Sequence, residues 1–358
     1  MRSLNFSRSN WLSIAGMAAF ITLLMVVGWG TLLLFVAPKQ LSLGTAGIYG
    51  IGIGVTAFTL GMRHAFDADH IAAIDNTTRK LMSEGQRPVS VGFWFSLGHS
   101  SVVFGLAVLL SLGVRALMGP VADENSSLQE SLGLIGTLVS GTFLVLIGLI
   151  NLGVLKRILG VFQQMRTGEF SEAQLEAELE SRGFINRYLG RVTKLVSKPW
   201  QMYPVGLLFG LGFDTATQVS LLVLAGGAVA FSLPWYAILC LPILFAAGMT
   251  LLDTIDGCFM NIAYGWALNQ PVRKVYYNLV LTALSVFIAL GIGSILLISL
   301  LAERLGIDSG PIAWVGAINL DWMGFVIVGM FVLTFVAALA IYKWADIEEK
   351  WSNPDVAG

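Results

Sequence analysis

The sequence predicts an all-α polytopic membrane protein of about eight transmembrane helices, arranged as two four-helix halves with both termini cytoplasmic. Three observations carry that prediction. Hydrophobic residues make up 56% of the 358-residue chain and charged residues only 12%, with a mean hydropathy of +0.78. That composition suits a bilayer rather than a soluble core. Apolar windows long enough to cross about 30 Å of hydrocarbon fall at roughly 11–36, 46–74, 90–118, 131–155, 205–230, 234–264, 275–302 and 315–342. Basic residues then sort by linker. With the N-terminus inside, the inner segments hold seventeen of the twenty-one Lys and Arg: Arg2, Arg8, Arg79, Lys80, Arg87, the eight from Lys156 to Lys198, Arg273, Lys274, Lys343 and Lys350. The outer segments keep Lys39, Arg115 and Arg304, and Arg63 lies within a span. A missed or extra helix would scramble this split, which follows the positive-inside rule.

Taken in order, the first window follows Arg2 and Arg8 as a signal peptide would. It runs on from Trp11 to about Val36 without a small-residue cleavage site, so it reads as a retained span. The second window ends in GMRHAFDADHIAAIDNTTRK, Gly61 to Lys80. The third carries Phe95-Ser-Leu-Gly-His99-Ser100-Ser101. After the fourth comes the longest linker, which divides the chain into a first half (1–155), a cytoplasmic linker (156–203) and a second half (204–358). Within it SEAQLEAELESRG, Ser171 to Gly183, has a capping serine, helix formers and a terminal glycine, and predicts a short amphipathic helix. The fifth window carries Leu211-Gly-Phe-Asp214-Thr215-Ala-Thr217-Gln218 in its first half, and the sixth, long enough to be tilted or broken, carries Gly248-Met-Thr-Leu-Leu-Asp253-Thr-Ile-Asp256-Gly257. A short internal echo links Gly61-Met62 with Gly248-Met249, and Leu97-Gly98 with Leu211-Gly212; transporters often place a binding site between repeats. The 40 glycines fit close helix approach in a membrane. Cys240 and Cys258 form neither a disulfide framework nor a CxxC clip. A net charge of −1 without a basic patch speaks against a nucleic-acid partner.

The chain has three histidines, all in apolar segments. An imidazole or carboxylate in hydrocarbon costs several kcal/mol, roughly 2.5–3.5 for a charge on insertion scales, so such groups face a pathway or a partner. On a regular helix His64, Asp67 and His70 share an arc of about 120°, with Asp69 outside it unless the helix unwinds. Two imidazoles with one or two carboxylates make a mixed N/O set for Ni²⁺, Co²⁺, Zn²⁺ or Mn²⁺, with no thiolate to select Cu(I). A helix-end His–Asp network at the cytoplasmic interface is the bland alternative. For His99 the bland alternative is a satisfied core histidine; Ser100 is its neighbour. Arg63 reads either as a counter-charge to an aspartate or as a snorkelling helix-end residue. Thr215, Thr217 and Gln218 can serve as interhelical hydrogen bonders, whereas buried Asp214, Asp253 and Asp256 need a cation, a proton or a polar partner.

Together these four stretches resemble the nickel–cobalt transporter family of eight-helix permeases. Its H-x4-D-H hallmark is met by His64, Asp69 and His70, and its other signatures resemble FSLGHSSVV, LGFDTATQ and GMTLLDTIDG here. The resemblance implies high-affinity uptake of Ni²⁺ or Co²⁺, as transported substrate rather than prosthetic group, across the cytoplasmic (inner) membrane of a prokaryote. It implies a single-component permease with no ATPase subunit, and leaves the oligomeric state open. Gln218 stands where the family usually has Glu, which leaves ion preference and coupling open.

On that reading the ion sheds water into a site of His64, Asp69 and His70, with Asp67 and His99 as further ligands or supports. Asp214, Asp253 and Asp256 supply negative potential along the path. Imidazolium does not bind metal, so transport should weaken as pH falls through the histidine range. No G-x4-GK-[ST] loop occurs, so ATP is not hydrolysed by that route. Two charges moving down about 100 mV gain on the order of 4.6 kcal/mol. Competing readings are an exporter or proton-coupled carrier of another divalent cation, and a membrane acyltransferase with an H-x4-D base.

Overall fold

The computed structural model describes residues 7–42, 48–111, 127–166, 196–211, 233–267, 271–318, 320 and 322–344. These residues form ten α-helices and, among themselves, no strand. The helices are α1 (Arg8–Thr31), α2 (Ile51–His64), α3 (Ala68–Ser83), α4 (Val91–Ser111), α5 (Ser127–Arg166), α6 (Met202–Gly210), α7 (Trp235–Ala267), α8 (Pro271–Leu305), α9 (Gly310–Gly316) and α10 (Met323–Trp344). Six spans among the described residues are long and apolar enough to cross a membrane: Arg8–Lys39, Val91–Leu109, Glu130–Gly160, Trp235–Ile262, Leu279–Leu305 and Met323–Tyr342. Two of the eight expected windows are not among them. The window 46–74 is divided between α2 and α3, and 205–230 lies mostly outside the described residues, beyond α6. The helix expected at Ser171–Gly183 also lies outside them.

The sixth window proves to be one unbroken helix. At 33 residues and 1.5 Å per residue, α7 is about 50 Å long. It packs on α1, α2, α3 and α4. It is also the most enclosed span, with 72% of its window buried against 22% for the first. Glycines let the backbones meet. A Cβ on Gly61 would land on the carbonyl of Phe245, and one on Gly248 would land on that of Phe58. The crossing is therefore reciprocal: each helix offers a Phe and, three residues on, a Gly. The Gly61-Met62 and Gly248-Met249 echo thus marks two segments that pack on each other. A similar reciprocal crossing joins α4 and α6, where Gly98 meets Tyr203 and Gly206 meets Phe95. Small residues at such crossings trade side-chain volume for backbone van der Waals contact, which drives helix association where lipid gives no hydrophobic incentive.

A second layer forms behind α7. The helices α5 and α8 pack along each other, α3 lies among α5, α7 and α8, and α10 closes over α8 and α3. The larger apolar cluster runs through these elements, from Ile71 and Ile74 to Phe143, Leu144, Ile288 and Ile327. The helix α5 continues to Arg166 instead of ending near 155. Contacts identify the two ends of the bundle. At one end Phe20 meets Phe93 edge-on at 5.6 Å, Lys80 bonds the Val196 carbonyl, and Tyr276 approaches Tyr342. At the other, Lys39 bonds Tyr236 at 2.6 Å and Arg304 pairs with Glu130. The first end holds Arg8, Lys80 and Lys198, the second Lys39 and Arg304. The distribution agrees with the charge sorting read from the sequence.

Candidate metal site

The site begins where a helix stops. The helix α2 ends at His64, and Ala65, Phe66 and Asp67 turn before α3 starts at Ala68. Within the turn Phe66 N–H donates to Arg63 O at 2.9 Å and Asp67 N–H to His64 O at 3.0 Å, in place of the helical i−4 pattern. Asp67 then takes an extended conformation (φ −65°, ψ 142°) at the start of α3 without capping it. Its carboxylate goes instead to His64 Nδ1, 2.6 Å away. From the far end of the chain, Gly324 packs so closely on the Phe66 carbonyl that any Cβ there would overlap it. Phe325 stacks on the Phe66 ring at 5.0 Å. A break at membrane depth is tolerated where it is enclosed in protein, as this one is.

The break aims three imidazoles at one another. His64 comes from the last turn of α2, His70 from the first turn of α3 and His99 from α4. Their ring centroids lie 4.6, 4.7 and 4.7 Å apart. One ligand nitrogen from each falls within 4.8 Å of the others, and the residues are only 1%, 1% and 3% exposed. The Nε2 atoms of His64 and His99 stand 2.8 Å apart. With metal–nitrogen bonds of about 2.0–2.1 Å, two ligands at right angles sit about 2.9 Å apart, close to this spacing. The two Nε2 atoms share one hydrogen bond whose donor depends on the tautomers of the rings, and the Asp67 carboxylate stands at Nδ1 of His64. A divalent ion would take the place of that hydrogen bond. His70 faces Asp253 across α7, with Nδ1 3.5 Å from Oδ2 and both residues 1% exposed. Phe95 meets His70 edge-on at 4.8 Å and Phe245 lies 5.7 Å from His64, so aromatic rings wall the cluster. On the far side α6 backs His99: a Cβ on Gly210 would sit 2.7 Å from the His99 carbonyl.

The other expected residues are placed as follows. Asp69 is half-buried, and its Oδ1 accepts from the backbone N–H of His70 at 3.0 Å, so it braces the first turn of α3. Arg63 is exposed and pairs with no carboxylate among the described residues, which matches a snorkelling side chain better than a counter-charge. Ser100 is buried beside His99. Asp253 lies against His70, and Asp256 is on the same helix one turn further on. Asp214, Thr215, Thr217 and Gln218 lie outside the described residues.

Reading the sequence missed one feature. Asp75, Asn76, Thr77 and Thr78 are 0% exposed, with Arg79 and Lys80 nearly as buried. Arg79 Nε donates to Ser285 at 3.0 Å and Nη1 to Thr282 at 2.9 Å; Asn76 accepts from Asn151 at 2.8 Å. Placed after an apolar window and ending in two basic residues, this run reads as a solvated helix end. The signal that it is buried was Thr282, Ser285 and Asn151, isolated polar residues in distant apolar windows.

The fold and site define a polytopic helical membrane protein with a buried cluster of imidazoles suited to a divalent transition metal. Residues 50–341 match the family model described as High-affinity nickel-transport protein. The nickel transporter NicT of Mycobacterium tuberculosis is 58% identical over 96% of this chain and 92% of its own length. The nickel transporter NixA of Staphylococcus aureus is 46% identical over 94% and 96%, and the cobalt transport protein NhlF of Rhodococcus rhodochrous 44% identical over 80% and 82%. No solved structure matches the chain. The chain belongs to the high-affinity nickel-transport protein family.

Proposed function

We propose that this protein is a secondary transporter that imports Ni²⁺, Co²⁺ or both across the cytoplasmic membrane of a prokaryote, with His64, His70 and His99 as the ion's ligands. The observation that carries this reading is the convergence of all three of the chain's histidines, from three helices, at a buried point. Relatives named for nickel and for cobalt support the choice of ion, and they make the acyltransferase reading of the H-x4-D spacing untenable. Imidazole nitrogen suits late first-row divalent ions over Mg²⁺ or Ca²⁺. The two-half organisation, 1–155 and 204–358 about the linker 156–203, is supported by the reciprocal crossing of α2 with α7. The inward membrane potential supplies a driving force, and the reading requires no ATPase subunit.

Asp67 is assigned to positioning. Its bond to Nδ1 fixes the tautomer and rotation of His64, as carboxylates behind metal-bound histidines do. Asp67→Asn should lower nickel affinity by about 10–100-fold with little effect on folding, the range typical of such supports. Equilibrium ⁶³Ni binding to purified protein checks this; unchanged affinity would reduce Asp67 to a helix-start residue.

The transport reading is tested by ⁶³Ni uptake at nanomolar nickel into cells expressing the protein, with Co²⁺, Zn²⁺ and Mn²⁺ as competitors. Saturable uptake, blocked by cobalt and lost in a His64→Ala/His70→Ala variant, is expected. Undiminished uptake in that variant would overturn the assignment.

A further inference from the structure

We infer that α2 and the outer part of α7, Trp235 to Phe245, form a gate that closes the imidazoles off from the outside, and that the Tyr49 hydroxyl is its latch. The inference rests on the transport reading above and adds to it the element that must open before an ion can enter.

The two sides of the imidazoles differ in kind. Toward the basic end of the bundle the helices bury polar side chains: Thr77 and Thr78 on α3, and Asp253, Thr254 and Asn261 on α7. Toward the other end lies a separate apolar cluster. It begins at Phe245, whose ring stands 5.7 Å from that of His64, and takes in Leu32, Val36, Ala57, Leu241 and Leu244. From Ala237 to Phe245, about 12 Å of helix, α7 buries no polar side chain except the Cys240 thiol. Between Ile51 and Leu60, α2 buries none. A divalent ion finds no ligand in that core, and stripping its water without replacement is prohibitive. The path from outside is therefore shut in this conformation, and α2 and α7 must part to open it.

What holds them together sits at the outer rim. Tyr49, just before α2, is 0% exposed, and its hydroxyl donates to the Ala237 carbonyl at 2.6 Å. Its backbone N–H donates to Leu41 O at 2.7 Å, so one residue ties the end of the first span, the start of α2 and the start of α7. Beside it Lys39 donates to the Tyr236 hydroxyl at 2.6 Å and lies 5.2 Å from the centre of that ring. Further in, Pro242 interrupts α7. It has no N–H for the Ile238 carbonyl, which weakens the helix between the latch and Phe245 and gives it a place to bend. A rim of few polar bonds over a dry core, with a proline below it, is built to break and re-form as a unit.

The chain carries its own reporter. Cys240 lies one turn from Ala237, 1% exposed, with its thiol on the Gly28 carbonyl. With Cys258→Ser it is the one thiol left. The test adds a membrane-impermeant methanethiosulfonate to the outer face of proteoliposomes holding that full-length protein in one orientation. Labelling of Cys240 should be on the order of 100-fold slower than labelling of Trp235→Cys, made with both native cysteines as serine, because a buried thiol reacts only through opening. Tyr49→Phe should speed it by about 3–10-fold, as loss of one buried hydrogen bond predicts. Pro242→Ala should slow it, and reagent confined to the inner face should not label Cys240. Fast labelling without substitution, labelling from the inner face, or the same rate in Tyr49→Phe overturns the gate. ⁶³Ni uptake is measured on the same vesicles. Uptake with a Cys240 that ignores Tyr49→Phe faults the gate alone, whereas a responsive Cys240 in vesicles that take up no nickel faults the transport reading.

Discussion

His99→Ala should abolish nickel uptake at nanomolar metal, with a loss of at least about 100-fold in affinity, more than is usual for removing a residue behind a ligand. His99 is the only one of the three imidazoles supplied from outside the α2–α3 motif. Without it, Nε2 of His64 loses its neighbour at 2.8 Å, and the cluster falls to two nitrogens that share one short stretch of chain. The substitution removes volume from a site walled by Phe95 and Phe245 but forces nothing into the α6 backbone. Protein level in the membrane and melting temperature should therefore stay close to wild type while binding is lost. Ser101→Ala is the control on the same helix. Its hydroxyl bonds Leu97 O and Tyr203 away from the cluster, and its loss should leave uptake near wild type. Uptake and equilibrium ⁶³Ni binding measured together decide the matter. Retained binding in His99→Ala would make this residue the satisfied core histidine that its isolation in an apolar segment first allowed.

The membrane class was legible because the bilayer imposes its lengths and charge asymmetry directly on the sequence, and Trp11, Lys80 and Arg304 needed no tertiary context. The imidazoles were legible for a related reason, since three histidines in apolar segments cannot all be incidental. The break at Ala65–Asp67 was not legible. It contains neither glycine nor proline, and its causes are tertiary: Gly324 and Phe325 arrive from the far end of the chain, and Asp67 turns to His64 instead of capping α3. Which acids touch the imidazoles was equally hidden. The family resemblance put Asp69 in the motif, yet its described hydrogen bond is to the backbone of His70, whereas Asp253, distant in sequence, stands beside the ring. Both cysteines are free, with Cys240 Sγ on the Gly28 carbonyl at 3.3 Å and Cys258 Sγ on that of Val89 at 3.4 Å.

Gly98→Ala should destabilise the protein, whereas Gly105→Ala, two turns further along the same helix, should not. A Cβ at Gly98 would fall on the Tyr203 carbonyl and within 2.9 Å of Leu207 N; at Gly105 it meets nothing within 4 Å. Overfilling a packed site typically costs about 1–3 kcal/mol. Here the upper end of that range is expected, because the obstacle is backbone and the crossing is pinned again where Gly206 meets Phe95. At an open helical position the same change gains about 0.5–1 kcal/mol by restricting the unfolded chain. Thermal unfolding of the two purified variants should therefore move in opposite directions, and equal melting temperatures would mean that the α4–α6 crossing can slide apart at little cost. The comparison also separates assembly from chemistry. His99 follows Gly98 directly and is held from behind by Gly210, so spreading this crossing displaces an imidazole as well as loosening the bundle. Gly98→Ala should lower both melting temperature and nickel affinity, while His99→Ala lowers affinity alone. That contrast would establish that the glycines of this motif are there to bring two backbones together and the histidine to meet the ion.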